Sequence, residues 1–371
     1  MRRTRAEIDL KALEYNFNGV RNRVGPDVSI MGIVKANAYG HGMIDLARAL
    51  IRFGCDHLGV GLLEEGIDLR RAGITSPVLV LGGVSASQID QFLQHNLDIT
   101  VSSIDGAQQV DAAARQHGGM KARVHLKIDT GMERIGVRAE NALPFVEFAC
   151  HLNHLDVVGI YSHLATSEDP ETSFARRQLE RFDKVLDGIE NSGIEIRHKH
   201  IANSGAILNL PESYYTMVRP GIMIYGYSPS RELSPAAGLR PVLSLRSEVI
   251  YLKDVPPGTS ISYGRKYFTT TATRIATVPI GYGDGYSRRL TNQTEVLIRG
   301  GRFPAVGTIC MDHLMVDVGL NSGISLGDEV VLIGSQGGEE ISAWEISEKL
   351  ATIPYEVLTG ILPRVPRVYI G

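Results

Sequence analysis

Residues 29–42 read SIMGIVKANAYGHG, an apolar run that ends on a lysine and then opens into small residues and glycines. Ile30, Met31, Ile33 and Val34 offer apolar side chains to both faces of an extended strand. That composition is typical of a parallel strand that is covered on both sides. Lys35 is the first charged residue after the run. The stretch therefore predicts a buried strand that presents an amine at its carboxyl end.

Short apolar runs followed by polar loops recur through the first two-thirds of the chain. We predict strands at Ser29–Lys35, His57–Val60, Pro77–Leu81, Leu97–Val101, Arg123–Ile128, Asp156–Ser162, Lys199–Ala202 and Met217–Ile224. Helical periodicity predicts helices between them at Met43–Phe53, Leu63–Ala72, Ala86–Gln94, Asp105–His117, Asn141–Cys150 and Glu171–Asn191. Eight strands alternating with helices over about 225 residues predict a TIM-type (β/α)8 barrel. A doubly wound sheet shows the same alternation, but no GxGxxG follows the first strand.

The pattern changes near residue 240, where helical periodicity gives way to short β-type runs. These runs are Val242–Leu252, Arg274–Pro279, Glu295–Ile298, Phe303–Ile309, Leu314–Val318 and Glu329–Ile333. Helical periodicity returns only at Ser342–Ala351. We therefore predict a mainly-β C-terminal domain. The boundary is expected in the Pro-, Ala- and Gly-containing stretch Ser234–Leu239, which gives a barrel at residues 1–238 and a β-rich domain at residues 239–371.

Composition excludes several classes of partner. The net charge of −3 gives no reason to expect nucleic acid or an anionic membrane. No run of about 18 apolar residues is present, so no transmembrane helix is expected. The N-terminal stretch MRRTRAEIDLKAL lacks an apolar core, so no secretory signal is expected either. Three widely spaced cysteines form neither a disulfide framework nor a CxxC metal site. We expect a cytoplasmic protein without a metal.

Reactive side chains follow the predicted strand ends. Catalytic groups of (β/α)8 barrels lie where strands end and loops begin. The residues at these ends are Lys35, Arg134, His163, Ser204 and Arg219. A partly desolvated lysine has a lowered pKa and can act as a base or form a Schiff base with an aldehyde. Because unpaired buried charge is expensive, so many polar groups at one rim predict a binding site. The hydroxyl of Ser204 and the backbone N–H groups of Gly221 and Ile222 suit a phosphate.

Nine motifs, in order through both predicted domains, resemble the alanine racemase family. They read VKANAYGHG, KIDTGMERIG, SHLATSED, ANSGA, VRPGIMIYG, SYGRKY, GYGDGY, TICMDH and IPYEV…RVPRVY. The resemblance implies a barrel with a C-terminal β domain, pyridoxal 5'-phosphate (PLP) as cofactor, and a homodimer. It also implies two-base interconversion of L- and D-alanine, which supplies D-alanine for peptidoglycan.

The resemblance also implies roles for individual residues. Lys35 matches the lysine that binds PLP covalently and serves as one base. Tyr263 matches the second base, which comes from the partner subunit. Arg219 matches the arginine facing the pyridine nitrogen, with His163 behind it. Arg134 matches an arginine beside the cofactor and substrate, and Lys127 matches a lysine that is often carbamylated. The residues implied around the phosphate are Tyr39, Ser204, Gly221, Ile222 and Tyr355. Those implied at the substrate and its entrance are Met311, Asp312 and Tyr282.

Three other functions stay open on the sequence. A racemase of the same fold with broader substrates, such as serine or basic amino acids, would need a larger pocket than Tyr282, Tyr355 and Met311 suggest. A PLP-dependent decarboxylase of related fold would not carry the SYGRKY and CMDH motifs. A non-catalytic PLP-binding protein would resemble the barrel alone.

Overall fold

The computed structural model describes residues 3–233 and 238–371. Residues 234–237, inside the predicted boundary stretch Ser234–Leu239, lie outside the described residues. The chain divides into two compact units, and both are discontinuous along the chain. One unit takes residues 13–38, 43–233 and 238–240, and the other takes residues 3–12, 39–42 and 241–371. None of the described helices has the length and hydropathy needed to cross a membrane.

The larger unit is a nearly closed eight-stranded parallel barrel with helices, which confirms the predicted TIM-type fold. Its strands, in their order around the sheet, are Met217–Val218, Ser29–Ile33, His57–Val60, Val78–Val80, Asp98–Val101, Ala122–Asp129, Leu155–Tyr161 and His198–His200. A two-residue strand, Val137–Arg138, pairs with Ala122–Asp129. Two backbone bonds close the ring: Thr216 N donates to Lys199 O over 3.2 Å, and Arg219 N donates to Ala202 O over 2.9 Å.

Amphipathic helices cover the outside of this barrel. Helix bounds in this part of the chain are Leu10–Val24, Met43–Arg52, Leu63–Arg71, Ile89–Gln94, Ile104–Gln116, Ala142–Cys150, Ser173–Asn191 and Ser204–Asn209, with 3-10 turns at Ala86–Gln88, Ala139–Asn141, Pro211–Ser213 and Ile222–Tyr225. In the helix Ser173–Asn191, the buried residues Ala175, Leu179, Phe182 and Leu186 recur every three or four positions. This spacing places them on one face, as packing against a sheet requires.

The eighth predicted strand, Met217–Ile224, is wrong in its length. The observed strand ends at Val218, and Ile222–Tyr225 forms a 3-10 turn. Pro220 has no N–H group to continue the ladder, and Gly221 follows it. The early end leaves Arg219 as the first residue after the strand.

The smaller unit is built on an antiparallel-rich sheet. Its strands are Arg5–Asp9, Leu243–Glu248, Tyr251–Val255, Thr273–Val278, Glu295–Ile298, Gly301–Val306, Leu314–Asp317, Glu329–Gln336, Glu339–Ile341 and Arg367–Ile370, with a separate pair at Ser260–Ile261 and Tyr267–Phe268. Two helices, Ala343–Leu350 and Pro354–Thr359, and 3-10 turns at Tyr263–Arg265, Tyr282–Asp284 and Arg288–Leu290 complete it. The predicted mainly-β character of this part of the chain is confirmed.

The first strand of the chain belongs to this second sheet. Arg5–Asp9 pairs antiparallel with Leu243–Glu248 and parallel with Arg367–Ile370. Its partners lie more than 230 positions away in sequence, so no local pattern indicated the pairing.

Candidate active site

Lys35 is followed by a turn of left-handed backbone. Ala36, Asn37, Ala38 and Tyr39 have φ between 52° and 55°. Left-handed backbone costs about 1–2 kcal/mol for each residue that carries a side chain. Four consecutive residues in this region therefore store strain, and neighbouring groups must hold it. The turn aims the chain away from the strand and leaves the Lys35 side chain exposed at the rim.

Glu65 holds the start of this turn, and the sequence analysis did not identify it. One carboxylate oxygen accepts from Ala36 N over 2.6 Å. The other accepts from Gly61 N over 2.8 Å and from Leu62 N over 3.1 Å. A single carboxylate thus fastens the loops that follow two neighbouring strands. An acid at the third position of a helix often reaches back to its N-terminus, and that pattern was the available indication.

The environment of Lys35 weakens its hold on a proton. Desolvation and the positive charges of Arg134 and Arg219 lower its pKa, and the charge of Glu65 acts in the opposite direction. The residue is nevertheless exposed to solvent. A larger neutral fraction makes the amine a better base and nucleophile.

Arg219 is fixed by donor bonds on both of its terminal nitrogens. Nη1 donates to His200 Nδ1 over 2.8 Å, and Nη2 donates to Ser162 O over 2.7 Å. Nη2 also lies 3.2 Å from His163 Nδ1 and from Ile201 O. Burial lowers the pKa of Arg219 to about 10, so the guanidinium stays protonated at neutral pH.

His163 is neutral beside this cation. Burial and the charge of Arg219 lower its pKa well below its usual value. Because arginine has no acceptor, His163 Nδ1 must accept, and its proton lies on Nε2. Gln178 fixes the backbone at His163 and at Ala165, two residues later. Its Nε2 donates to His163 O over 3.1 Å, and its Oε1 accepts from Ala165 N over 2.9 Å.

Lys127 is buried inside the barrel, only 2% exposed. Its Nζ donates to Ile128 O over 2.9 Å and lies 5.1 Å from the centre of the Tyr161 ring. Burial, followed by the charge of Arg219, lowers its pKa to about 7. The amine therefore loses its proton at a much lower pH than an ordinary lysine.

Asp129 organises the loop that carries Arg134. Its carboxylate accepts from Gly131 N, Met132 N and Arg134 N over 2.8, 2.9 and 3.2 Å. The charge of Arg134 lowers the pKa values of Lys35 and Lys127. The barrel rim therefore brings Lys35, Lys127, Arg134 and their neighbours into one electrostatically coupled group.

Ser204 and Gly221 meet at the starts of two short helical segments. Ser204 Oγ accepts from Gly221 N over 2.9 Å and lies 3.4 Å from Met223 N. Asn203 caps the helix Ser204–Asn209 by accepting from Ala206 N. Ile222 begins the adjacent 3-10 turn. Backbone N–H groups and a hydroxyl at such termini suit an anion.

The remaining predicted residues belong to the smaller unit. The rings of Tyr39 and Tyr355 lie 5.9 Å apart, and burial raises the pKa of Tyr39. The Tyr263 side chain is 72% exposed. The Tyr263 carbonyl accepts from Thr308 Oγ1 over 2.7 Å. Ser262, directly before Tyr263, has a φ of 67°, so Tyr263 sits at the tip of a strained turn.

Tyr282, Met311 and Asp312 are tied together within this unit. Tyr282 N donates to Cys310 O over 3.0 Å, and the next amide donates to Met311 O over 2.9 Å. Arg364 bridges the two segments, because its Nε lies 2.6 Å from Asp284 Oδ1 and its Nη2 lies 2.5 Å from Asp312 Oδ1. The sequence analysis quoted Arg364 as the first residue of the RVPRVY motif but assigned it no role, because its partners lie 80 and 52 positions away in sequence.

Comparisons with known proteins cover the whole chain. The model of the alanine racemase N-terminal domain matches residues 8–229, and that of the C-terminal domain matches residues 242–369. An alanine racemase of Halothermothrix orenii is 45% identical over 368 residues, which are 99% of this chain and 97% of that protein.

Solved structures of the same kind resemble the chain throughout its length. The alanine racemase of Clostridium difficile 630 gives a TM-score of 0.95 at 39% identity and covers 100% of this chain and 96% of that one. An alanine racemase from Bacillus anthracis with bound L-Ala-P gives 0.93 at 38% identity, with the same coverage of both chains.

Proposed function

Because this chain belongs to the alanine racemase family, we propose that it interconverts L-alanine and D-alanine with PLP and two bases, Lys35 and Tyr263. The observation that carries the proposal is the exposed amine of Lys35 at the barrel rim, with its pKa lowered by desolvation and by Arg134 and Arg219. A solvent-exposed lysine that loses its proton more readily than usual suits both a covalent anchor and a base.

The residues present fit PLP. Lys35 would hold its aldehyde carbon, and the Arg219 guanidinium would face its ring nitrogen as a donor. Ser204, Gly221 and Ile222, with Tyr39 and Tyr355, would hold the phosphate. The fit rests on Ser204 Oγ and Gly221 N lying together at two helix starts, where an anion is favoured. When bound, PLP supplies an electron sink that makes the Cα proton of an amino acid acidic.

Two bases on opposite faces of the bound amino acid then exchange the Cα proton and invert the configuration at Cα. Lys35 Nζ removes or returns the proton on one face, and Tyr263 Oη acts on the other. For each direction of the reaction, one base takes a proton from Cα while the other delivers one. Arg219 keeps its own proton throughout, since its pKa stays near 10. His163 accepts from Arg219 at Nδ1, so its Nε2–H lies on the side of the ring away from Arg219.

We further propose that the substrate is small. Arg134 would bind its carboxylate, and Met311 and Asp312 from the partner subunit would lie in the same region. Tyr282 and Tyr355 would narrow the entrance. Arg364 would keep Asp312 and the 3-10 turn at Tyr282 in one fixed arrangement. A narrow entrance favours alanine over serine or basic amino acids.

Lys127 is proposed to be carbamylated. A neutral amine attacks CO2, a nitrogen–carbon bond forms, and one proton is released. The low pKa of Lys127 supplies the neutral amine. The product is an anion beside Arg219 and Arg134, whose positive charges now repel the protonated lysine. Carbamylation would replace that repulsion with attraction and orient Arg134.

The biological setting follows from the family. We propose a cytoplasmic homodimer in which the C-terminal β domain, residues 239–371, completes the partner's active site. The 72% exposure of Tyr263 supports this arrangement, since a base must be reachable. The three cysteines are free, which suits a reducing compartment. D-Alanine made here would supply peptidoglycan.

NMR observation of Cα proton exchange in D2O tests the proposed function. With PLP added, we expect exchange and inversion of L- and D-alanine, and little of either with serine, arginine or lysine. Lys35→Ala should abolish both, whereas Lys121→Ala, which removes an exposed lysine before the strand Ala122–Asp129, should not.

A second pair of variants tests the other base. Tyr263→Phe should lose activity, and Tyr251→Phe, a similarly exposed tyrosine of the same unit, should keep it. Inversion spread evenly over the panel would indicate a broad racemase. Bound PLP without exchange of any amino acid would contradict the proposal.

A further inference from the structure

A chain of polar side chains runs through the barrel interior from Arg219 to Asp98. Arg219 Nη1 lies 2.8 Å from His200 Nδ1. His200 Nε2 lies 2.9 Å from His125 Nδ1, and His125 Nε2 lies 3.8 Å from Asp98 Oδ2. Both imidazoles are fully buried and Asp98 is 2% exposed. None of the proposed catalytic steps uses His125 or Asp98.

The donors and acceptors along this chain can point in only one direction. Arginine has no acceptor, so His200 Nδ1 must accept and the His200 proton lies on Nε2. His200 Nε2 therefore donates to His125 Nδ1. His125 Nδ1 is then an unprotonated acceptor, which leaves the His125 proton on Nε2. A second proton on His125 would face the Nε2–H of His200, so His125 is neutral.

The chain ends on an anion. Asp98 forms a two-point ion pair with Arg123, with Nε–Oδ1 at 2.9 Å and Nη2–Oδ2 at 3.0 Å. Burial raises the pKa of Asp98, but the charge and hydrogen bonds of Arg123 hold it below its usual value. His125 Nε2 lies 3.8 Å from Asp98 Oδ2 and forms no hydrogen bond, so the link between this N–H group and the carboxylate is electrostatic.

Other groups in the barrel flank the chain without joining it. The ring of Tyr161 stacks on His200 with centroids 4.9 Å apart, and its hydroxyl bonds Thr100. His198 stacks at 6.2 Å from His125, and His57 packs edge-on against His198. No group of three or more His, Cys, Asp or Glu that could hold a metal occurs within residues 3–233 and 238–371.

We propose that Asp98 and His125 are positioning residues for Arg219. The carboxylate at the far end stabilises the Nε2–H tautomers of His125 and His200, and so makes His200 Nδ1 a stronger acceptor for the Arg219 guanidinium. Hydrogen bonds that point the same way polarise one another, and a carboxylate behind an imidazole raises its basicity in the same manner. The catalytic role of Asp98 and His125 rests on the proposed racemase function. The assignment of the histidine tautomers does not depend on that function.

Nitrogen-15 NMR of histidine-labelled protein without added cofactor tests the chain directly. We expect both His125 and His200 to carry their proton on Nε2, with an unprotonated, hydrogen-bonded Nδ1. Asp98→Asn removes the charge, and His125→Asn keeps an acceptor near the Nδ1 position but loses the link to Asp98. Both variants should shift the His200 ring resonances. His57→Asn, which removes a barrel imidazole outside the chain, should not.

Kinetics then test the link to Arg219. Asp98→Asn and His125→Asn should each lower kcat/KM for alanine by about threefold to thirtyfold, the range of couplings through packed networks. In a double-mutant cycle, either change should be non-additive with Arg219→Lys. Combining Asp98→Asn with His125→Asn should cost no more than one change alone, because each breaks the same chain.

Several results would overturn the proposal. A proton on Nδ1 of His125 or His200 in the native protein would contradict the donor and acceptor assignments on which the proposal rests. Unchanged His200 resonances in Asp98→Asn, or strictly additive effects with Arg219→Lys, would reduce Asp98 to a local ion pair. If Asp98→Asn fails to fold, His125→Asn carries the same test. If the native protein is inactive but shows the expected tautomers, the proposed function is contradicted, whereas the proposed hydrogen-bond chain is supported.

Discussion

Lys127 illustrates how strongly a barrel interior changes a single side chain. It sits on the strand Ala122–Asp129, where all but one of the residues are buried. Desolvation is the largest cause of its lowered pKa of about 7, and Arg219 adds to it. An ordinary lysine, with a pKa near 10.4, holds almost no neutral amine at neutral pH. Lys127 is therefore a reactive lysine by position, and its sequence neighbours alone do not show this.

The pH dependence of carbamate formation at Lys127 follows from that pKa. Below about pH 7 the amine is protonated and cannot attack CO2; above it the amine is neutral and can. At constant CO2 pressure, we expect a carbamate carbon signal in 13C NMR that grows as the pH rises through about 7. An exposed lysine would need a pH near 10 for the same conversion.

Lys127→Met provides the control for this titration. It keeps an unbranched side chain in the buried position and removes the amine, so the signal should disappear. A carbamate that appears only near pH 10, or that persists in Lys127→Met, would assign the reaction to another lysine.

At the scale of elements, the segment Lys35–Gly42 carries most of the strain in the site. Four side-chain-bearing residues adopt left-handed backbone, and Gly40 follows with a φ of 85°. A Cβ at Gly40 would lie 2.1 Å from the carbonyl oxygen of Leu358, in the same compact unit. Backbone at that distance cannot move aside cheaply. Gly40 is therefore required for two reasons, its conformation and the close approach of the helix Pro354–Thr359.

A comparison of two glycine variants separates these reasons. Gly54 has a φ of 92°, and nothing lies within 4 Å of a Cβ built there. Gly54→Ala should therefore cost about 1 kcal/mol of unfolding free energy, from backbone strain alone. Gly40→Ala adds overpacking and should cost at least about 3 kcal/mol. Urea unfolding measures both, and equal losses would show that the contact with Leu358 is easily relieved.

The elements that could be predicted from the sequence are those that depend on a local pattern of apolar and polar residues. The run at His57–Val60 coincides with the observed strand, because a strand buried on both faces is rich in apolar residues. The left-handed turn was not predictable, since Ala36 and Ala38 have no preference for that conformation. Its stability comes from Glu65, whose contacts depend on how two barrel loops meet.

The chain of polar side chains inside the barrel was predictable from the sequence only in part. His125, Lys127 and Asp129 alternate with apolar residues along one buried strand. Such alternation within a covered strand indicates a polar layer, but it does not say which groups meet. The partner of His125 comes from a strand 75 positions later. Only the closed ring of strands brings the two together.

At the scale of the whole molecule, we propose that each active site is shared between two subunits. Lys35 belongs to the barrel unit, and Tyr263 belongs to the β-rich unit, where its side chain is 72% exposed. If the partner supplies Tyr263, then Lys35→Ala and Tyr263→Phe disable complementary halves of the site. Each homodimer would be inactive for a different reason.

Heterodimers of these two variants test the shared site. In a dimer of one Lys35→Ala chain and one Tyr263→Phe chain, one site would hold both changes and the other would hold neither. Purified on two different tags after co-expression, such heterodimers should show about half of the wild-type kcat per dimer, because a twofold dimer has two equivalent sites. Had Lys35 and Tyr263 come from the same chain, every site would carry one change. The heterodimer would then be as inactive as either parent, and the shared-site arrangement would have to be abandoned.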